Sequence, residues 1–171
     1  MTLLNENLGD PIFSSARLQE GLDDPSARLE AAHSEGRLVG AALSRLLEPG
    51  DVDYYRRFGP EAADLFQTGP IGSLEALAVT PSARRRGAGR ALLDSAVAWC
   101  QANGCRKIVA VSWISGASGT SAQLFAAAGF TMGETIPGFY LEESLRDGWN
   151  CPVCGAGCKC GGQFVYLRRP A

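Results

Sequence analysis

The 171-residue sequence predicts an α/β (α+β) fold, a central sheet flanked by helices, on three observations. Two near-continuous apolar runs, 74–79 and 107–113, read as buried strands. Between them Leu92, Leu93, Ala96, Val97 and Cys100 recur with helical period, and Asn103-Gly104 supplies a C-cap. Two runs within 27–47, interrupted by the polar turn His33-Ser34-Glu35-Gly36-Arg37, read as a hairpin.

In chain order, residues 1–25 show weak periodicity and several breakers, with one short helix expected near 14–20. Alanine and leucine are poor strand formers, so the strands 27–32 and 38–47 lean on their turn. Residues 48–72 form an irregular insert with a helix over 60–67, where Pro60 takes the first helical position and Glu61 the first turn. A strand over 73–80 follows and stops at Pro81, which removes a ladder donor. Helices over 89–102 and 118–128 then flank the strand 107–113. Gly129 ends the second helix, Phe130 opens another strand, and 163–169 reads as a terminal strand.

Composition narrows the classes. With 46% hydrophobic and 20% charged residues, the chain reads as one globular domain spanning 1–171. No apolar run approaches the roughly twenty residues of a membrane span. A net charge of −2, without a basic stripe interleaved with aromatics, argues against a nucleic-acid partner. The first ten residues lack the basic stretch of a secretion signal, so the expected location is cytoplasmic. There, six cysteines read as thiols or metal ligands before disulfides. His33, the only histidine, sits in a turn, which removes Ser–His and Cys–His nucleophilic schemes.

The chemistry concentrates at Arg84-Arg85-Arg86-Gly87-Ala88-Gly89-Arg90, between a strand and a helix. Glycines let a ligand approach the main chain, and free N–H groups with the helix dipole make an anion site whose usual occupant is pyrophosphate. A P-loop would need Lys-Ser or Lys-Thr where Arg90-Ala91 stand. The dinucleotide fingerprint needs a small residue where Leu92 stands, and an acidic one about twenty positions on, where 107–111 has none. What remains is Arg84-x-x-Gly87-x-Gly89 preceded by Leu77-Ala78-Val79-Thr80-Pro81, which resembles the acetyl-CoA loop of the GNAT N-acetyltransferase family. Leu124-Phe125-Ala126-Ala127-Ala128-Gly129-Phe130 is similar to that family's second signature.

The resemblance implies a mixed, largely antiparallel sheet whose central strands splay around acetyl-CoA. It implies that the Leu77 N–H polarises the thioester carbonyl and that Val79 pairs with pantetheine. Arg84, Arg85, Arg86, Gly87, Ala88, Gly89 and Arg90 would hold the pyrophosphate, with Ser118 and Phe125 also against the coenzyme. Acetyl would pass by direct attack, in a ternary complex, to an amine of a small molecule or protein, on a monomer or homodimer. Strand alternation puts 73, 75, 77 and 79 on one face, so Glu75 would stand beside the carbonyl. A carboxylate there can take the ammonium proton directly or through water. The other reading of Glu75 is a solvated or salt-bridged strand residue. Two positions depart from the family: Phe125 stands where a tyrosine is frequent, and Ser118 where an asparagine is. Tyr140 is a remote substitute for the missing proton donor, or an ordinary aromatic of the core or acceptor pocket. These departures, with an N-terminal segment shorter than the family's, keep a second reading open: a non-catalytic acetyl-CoA-binding or protein-interaction module.

Cys151-Pro152-Val153-Cys154-Gly155 and Cys158-Lys159-Cys160-Gly161 place four thiols within ten residues. Four thiolates suit tetrahedral zinc, with an iron centre allowed by ligand softness; free thiols and disulfides are the alternatives. Zinc bound by Cys151, Cys154, Cys158 and Cys160 would be structural and would knot the cysteine-rich insert 137–162 beside the acceptor mouth. Cys100 and Cys105 read as core residues. Tyr54-Tyr55-Arg56-Arg57, Trp113, Tyr140 and Trp149 are candidates for lining a pocket, with ordinary packing or surface as the other reading. Glu142, Glu143 and Asp147 suit a cationic acceptor or a solvated face.

Overall fold

A computed structural model describes residues 2–67, 69–116 and 121–168. The chain opens with α1 (Thr2–Leu8), α2 (Ser15–Asp23) and the hairpin β1 (Ala27–Ser34) and β2 (Arg37–Leu47). Next come α3 (Val52–Arg56), α4 (Pro60–Leu65), β3 (Ile71–Val79), α5 (Ala88–Ala102) and β4 (Lys107–Ile114). The last part holds α6 (Ser121–Ala127), β5 (Thr131–Ile136), α7 (Leu141–Asp147), the two-residue strands β6 (Asn150–Cys151) and β7 (Gly155–Ala156), and β8 (Gly161–Arg168). The expected strands and the helices at 14–20, 60–67, 89–102 and 118–128 are all present, although Ser118 and Arg169 lie outside the described residues. The short helices α1, α3 and α7 carry too few turns to show a period in sequence.

Six strands form one sheet in the order β1-β2-β3-β4-β8-β5. Only β3 and β4 run parallel; every other pairing is antiparallel. The parallel pair is also the short one. It runs from Ile71–Lys107 to Leu74–Ala110 and stops, although β3 continues to Val79 and β4 to Ile114. The two strands therefore part in mid-sheet and leave a wedge.

A bulge sits where the wedge begins. On β2, Leu43 pairs with Ala76 and the next residue, Ser44, pairs with Leu74, so Glu75 is the extra residue. One added residue reverses the alternation of side chains along the strand. Below the bulge, Ser73 joins Tyr55 on one face while Leu74 enters the core under α5. Above it, Ala76 and Ala78 face the cluster under α1, and Val79 and Leu77 face α5. The expected common face of 73, 75, 77 and 79 is thus overturned, because alternation holds only within an unbroken ladder.

Helix α5 packs Leu92, Leu93, Ala96, Val97 and Cys100 onto the sheet, the face its period predicts. Gly72 makes the close approach there, since a Cβ at that position would overlap Cys100. Burial pushes the Cys100 thiol up to about 12, consistent with an inert core cysteine. The opposite face holds an aromatic cluster in which Phe58 lies 4.8 Å from Phe139 and 5.6 Å from Phe164 between ring centres. Each such fully buried ring contributes roughly 1.5–3 kcal/mol, and the cluster ties the 48–72 insert to the segment entering α7. Among the described residues no helix is long and apolar enough to cross a membrane.

Candidate active site

The upper end of β3 leads into the glycine-rich turn. Thr80 donates its N–H to Val39 on β2, so strand alternation turns the N–H groups of Leu77 and Val79 the other way, into the wedge. Past a 3-10 turn at Pro81–Ala83, Arg85 and Gly87 both take positive φ, 62° and 92°. Left-handed residues in a turn curl successive N–H groups to one side, the concave form that receives anions. The first helical bond of α5 here runs from Ala91 to Gly87, and among the described residues the N–H groups of 85–90 have no main-chain acceptor. Gly87 at the helix N-cap needs its missing side chain, since an L residue there would be strained.

The four arginines divide into two jobs. Arg84 donates to the Val79 carbonyl at 2.9 Å and to Asn7 of α1 at 2.8 Å, so it splints the end of β3. Arg90 reaches Asp94 at 2.8 Å and the Ala127 carbonyl at 3.0 Å, joining α5 to the end of α6. Arg85 and Arg86 are exposed, and no hydrogen bond or ion pair engages either among the described residues. The expectation treated all four alike; in the structure Arg84 and Arg90 already have partners within the chain.

Below the turn, the wedge opens on a cavity of about 420 Å³. Its floor is residues 74–77 of β3 with Val111 and Trp113 of β4. Phe125 of α6 lines one wall; it is buried and meets Phe130 edge-on, 5.1 Å between centres. The opposite side is built by the α1–α2 connection, Tyr54 and Tyr55 of α3, Tyr140, Glu143 and Trp149. Ser121, absent from the sequence expectations, also lines the cavity, with its Oγ 2.8 Å from that of Ser112.

Glu75 faces this cavity through its bulge, not through strand alternation. Its Oε1 accepts from Arg45 Nε at 2.7 Å, and Arg45 also meets Asp51 at 3.1 Å. Burial opposes the Arg45 charge, but Glu75 and Asp51 outweigh it and hold the guanidinium pKa above its usual value. Both readings of Glu75 therefore meet in one residue, which is salt-bridged and lines the cavity. Tyr55 shares a 2.7 Å hydrogen bond with Ser73, while burial, then Tyr54 and Glu143, raise the Tyr140 phenol well above its ordinary pKa. Tyr140 thus keeps its proton throughout the neutral range.

The cysteines converge behind the same cavity. The Sγ atoms of Cys151, Cys154, Cys158 and Cys160 all lie within 4.8 Å of one another, with pairs at 3.3, 3.7 and 3.9 Å. A tetrahedral ion with metal–sulfur bonds of about 2.3 Å sets its sulfurs about 3.8 Å apart, whereas a disulfide needs about 2.05 Å. The N–H groups of Val153 and Cys154 approach Cys151 Sγ at 3.4 and 3.5 Å, the turn that Gly155 permits with its φ of 74°. The donor set and its spacing fit a metal ion.

Residues 5–130 match the profile of the Acetyltransferase (GNAT) family. A curated relative, aminoglycoside N(6')-acetyltransferase type 1 of Klebsiella aerogenes, is 41% identical over 64 residues, 37% of this chain. That match spans about two fifths of the relative's length. Among solved structures, an agmatine N-acetyltransferase in its apo form aligns over 99% of this chain and 93% of its own, with TM-score 0.65 and 16% identity. A Bacillus subtilis acetyltransferase in complex with CoA aligns over 99% and 90%, with TM-score 0.64 and 18% identity. The structural likenesses concern the fold alone, and the family profile covers both the wedge and the turn of this chain. This chain belongs to the GNAT acetyltransferase family.

Proposed function

We propose that this chain transfers the acetyl group of acetyl-CoA to a primary amine by direct attack, with both substrates bound together. The observation that carries the reading is the wedge between β3 and β4, with an open anion-receiving turn at one end and an aromatic, carboxylate-lined cavity at the other. Main-chain N–H groups of 85–90, with Arg85 and Arg86 above them, would hold the pyrophosphate. The Val79 N–H would pair with pantetheine, and the Leu77 N–H would donate to the oxyanion as the amine adds to the thioester carbon. Glu75 would take the proton the amine sheds. The carbon–sulfur bond then breaks, and the departing thiolate takes up a proton from water, since Phe125 has none to give and burial makes the Tyr140 phenol a weak acid. No acyl-enzyme is required.

The four cysteines would hold a structural zinc, which leaves no open position for chemistry. Steady-state release of free CoA with a panel of amines, small molecules and peptide N-termini, tests the transfer reading. Turnover with at least one amine, lost in Glu75→Gln, supports it. The ion pair that engages Glu75, together with Phe125 at a proton-donor position, favours a second reading, a module that binds acetyl-CoA without turnover. Calorimetric binding of the coenzyme without release for any amine would establish that alternative.

A further inference from the structure

We propose that the metal held by the cysteine knot assembles one wall of the acceptor cavity, so that the knot positions the acceptor and leaves the coenzyme turn untouched. The inference rests on the zinc reading above and adds a function to it.

The knot cannot hold itself by ordinary means. Its regular structure is β6 against β7, with two residue pairs, Asn150–Ala156 and Cys151–Gly155. A segment this small has too little core to offset its ordering entropy and needs a covalent or metal staple. Yet Cys151, Cys158 and Cys160 are 4%, 0% and 5% exposed. What covers them is Trp149, Tyr140, Trp113 and Ile12, and each of these four also lines the cavity. The same side chains therefore touch the thiols and the cavity.

Two hydrogen-bonded links carry the knot's position outward. Cys158 donates its N–H to Ser144 Oγ at 2.8 Å, and that hydroxyl donates to the Leu141 carbonyl at 2.9 Å. This pins α7, which brings Glu143 to the cavity. On the other side, Asp10 and Asn150 exchange both main-chain hydrogen bonds, 3.1 and 2.7 Å, just before Cys151. That bridge holds the connection between α1 and α2, from which Ile12 and Phe13 enter the cavity wall. Gly9 admits the Trp149 ring, since a Cβ there would come within 2.8 Å of it. The coenzyme turn is splinted from its own strand and from α6, by Arg84 on the Val79 carbonyl and by Arg90 on the Ala127 carbonyl.

Metal analysis, chelation and zinc re-addition on the full chain, read by hydrogen exchange, acceptor KM and coenzyme Kd, test this directly. We expect one zinc per chain. Its removal should raise exchange at 9–13 and 139–151, leave the turn and helix at 80–93 unchanged, raise acceptor KM at least tenfold and leave coenzyme Kd within twofold, and re-addition should reverse these changes. Ser144→Ala, which cuts the link to α7 and keeps all four thiols, should keep the metal and still raise acceptor KM about threefold with kcat nearly unchanged. Bound zinc whose removal leaves exchange at 9–13 and 139–151 unchanged would overturn the inference and spare the zinc reading. Equal loss of coenzyme and acceptor binding would also overturn it. A protein that neither contains nor takes up metal would sink both. The exchange readout holds even if no amine is turned over, so failure of the transfer reading remains separate.

Discussion

The glycine-rich turn at 80–90 and the cysteine-backed wall at 137–160 border the same wedge, but they are built by opposite means. The turn works through main-chain N–H groups that are neighbours in sequence, curled by Arg85 and Gly87 and stiffened by arginines on either side. The wall is made of side chains drawn from α1, α3, β4 and α7, part of it backed by a knot of thiols. A backbone site tolerates changes in side chains and fails on changes in φ. A side-chain site has the reverse sensitivity. Selection of a coenzyme common to a family fits the first, and selection of an individual acceptor fits the second.

The largest break between the two should come at the residue that lies in the wedge itself. Glu75→Gln keeps shape and removes the proton acceptor, so kcat/KM for the amine should fall by about 10²-fold, with coenzyme Kd unchanged by calorimetry. Equal loss of coenzyme binding would show that the Arg45 ion pair shapes the wedge instead. Next, Gly87→Val forces a β-branched residue into the left-handed region, a cost of about 1–2 kcal/mol. We expect roughly tenfold weaker coenzyme binding, 1.4 kcal/mol per decade, with acceptor KM unmoved. Coenzyme affinity matching wild type would remove the main-chain account of the turn.

Two smaller effects sharpen the contrast. Tyr55→Phe leaves Ser73 Oγ without its partner under α3 and should cost about 1 kcal/mol of stability in urea titration. That loss belongs to the wall side, so coenzyme Kd should stay constant. Arg85→Ala combined with Arg86→Ala removes two exposed charges, each worth well under 1 kcal/mol. Coenzyme affinity should drop only a few-fold, and its salt dependence should flatten. A hundredfold drop would mean that charge, not the N–H cradle, holds the diphosphate.

Sequence patterns sufficed wherever one stretch of chain makes the structure. The face of α5 could be read from Leu92 to Cys100, and the glycine-rich turn from Gly87, because helix period and left-handed φ are local properties of the chain. The aromatic cluster of Phe58, Phe139 and Phe164 was invisible for the opposite reason: its outermost members lie more than a hundred residues apart and share no period. Arg45, the partner of Glu75, lies thirty residues upstream and carried no signal at all.

By itself the amino-acid order determined the sheet's principal strands, the glycine-rich turn and the company of four cysteines, since each is written in backbone propensity or close spacing. Only the folded chain decided what Glu75 does. A bulge exists in the register between two strands, not in either strand alone, and it was that slip which reversed the expected side-chain alternation at Glu75. The cavity likewise belongs to tertiary structure, because its walls come from segments that no local rule brings together.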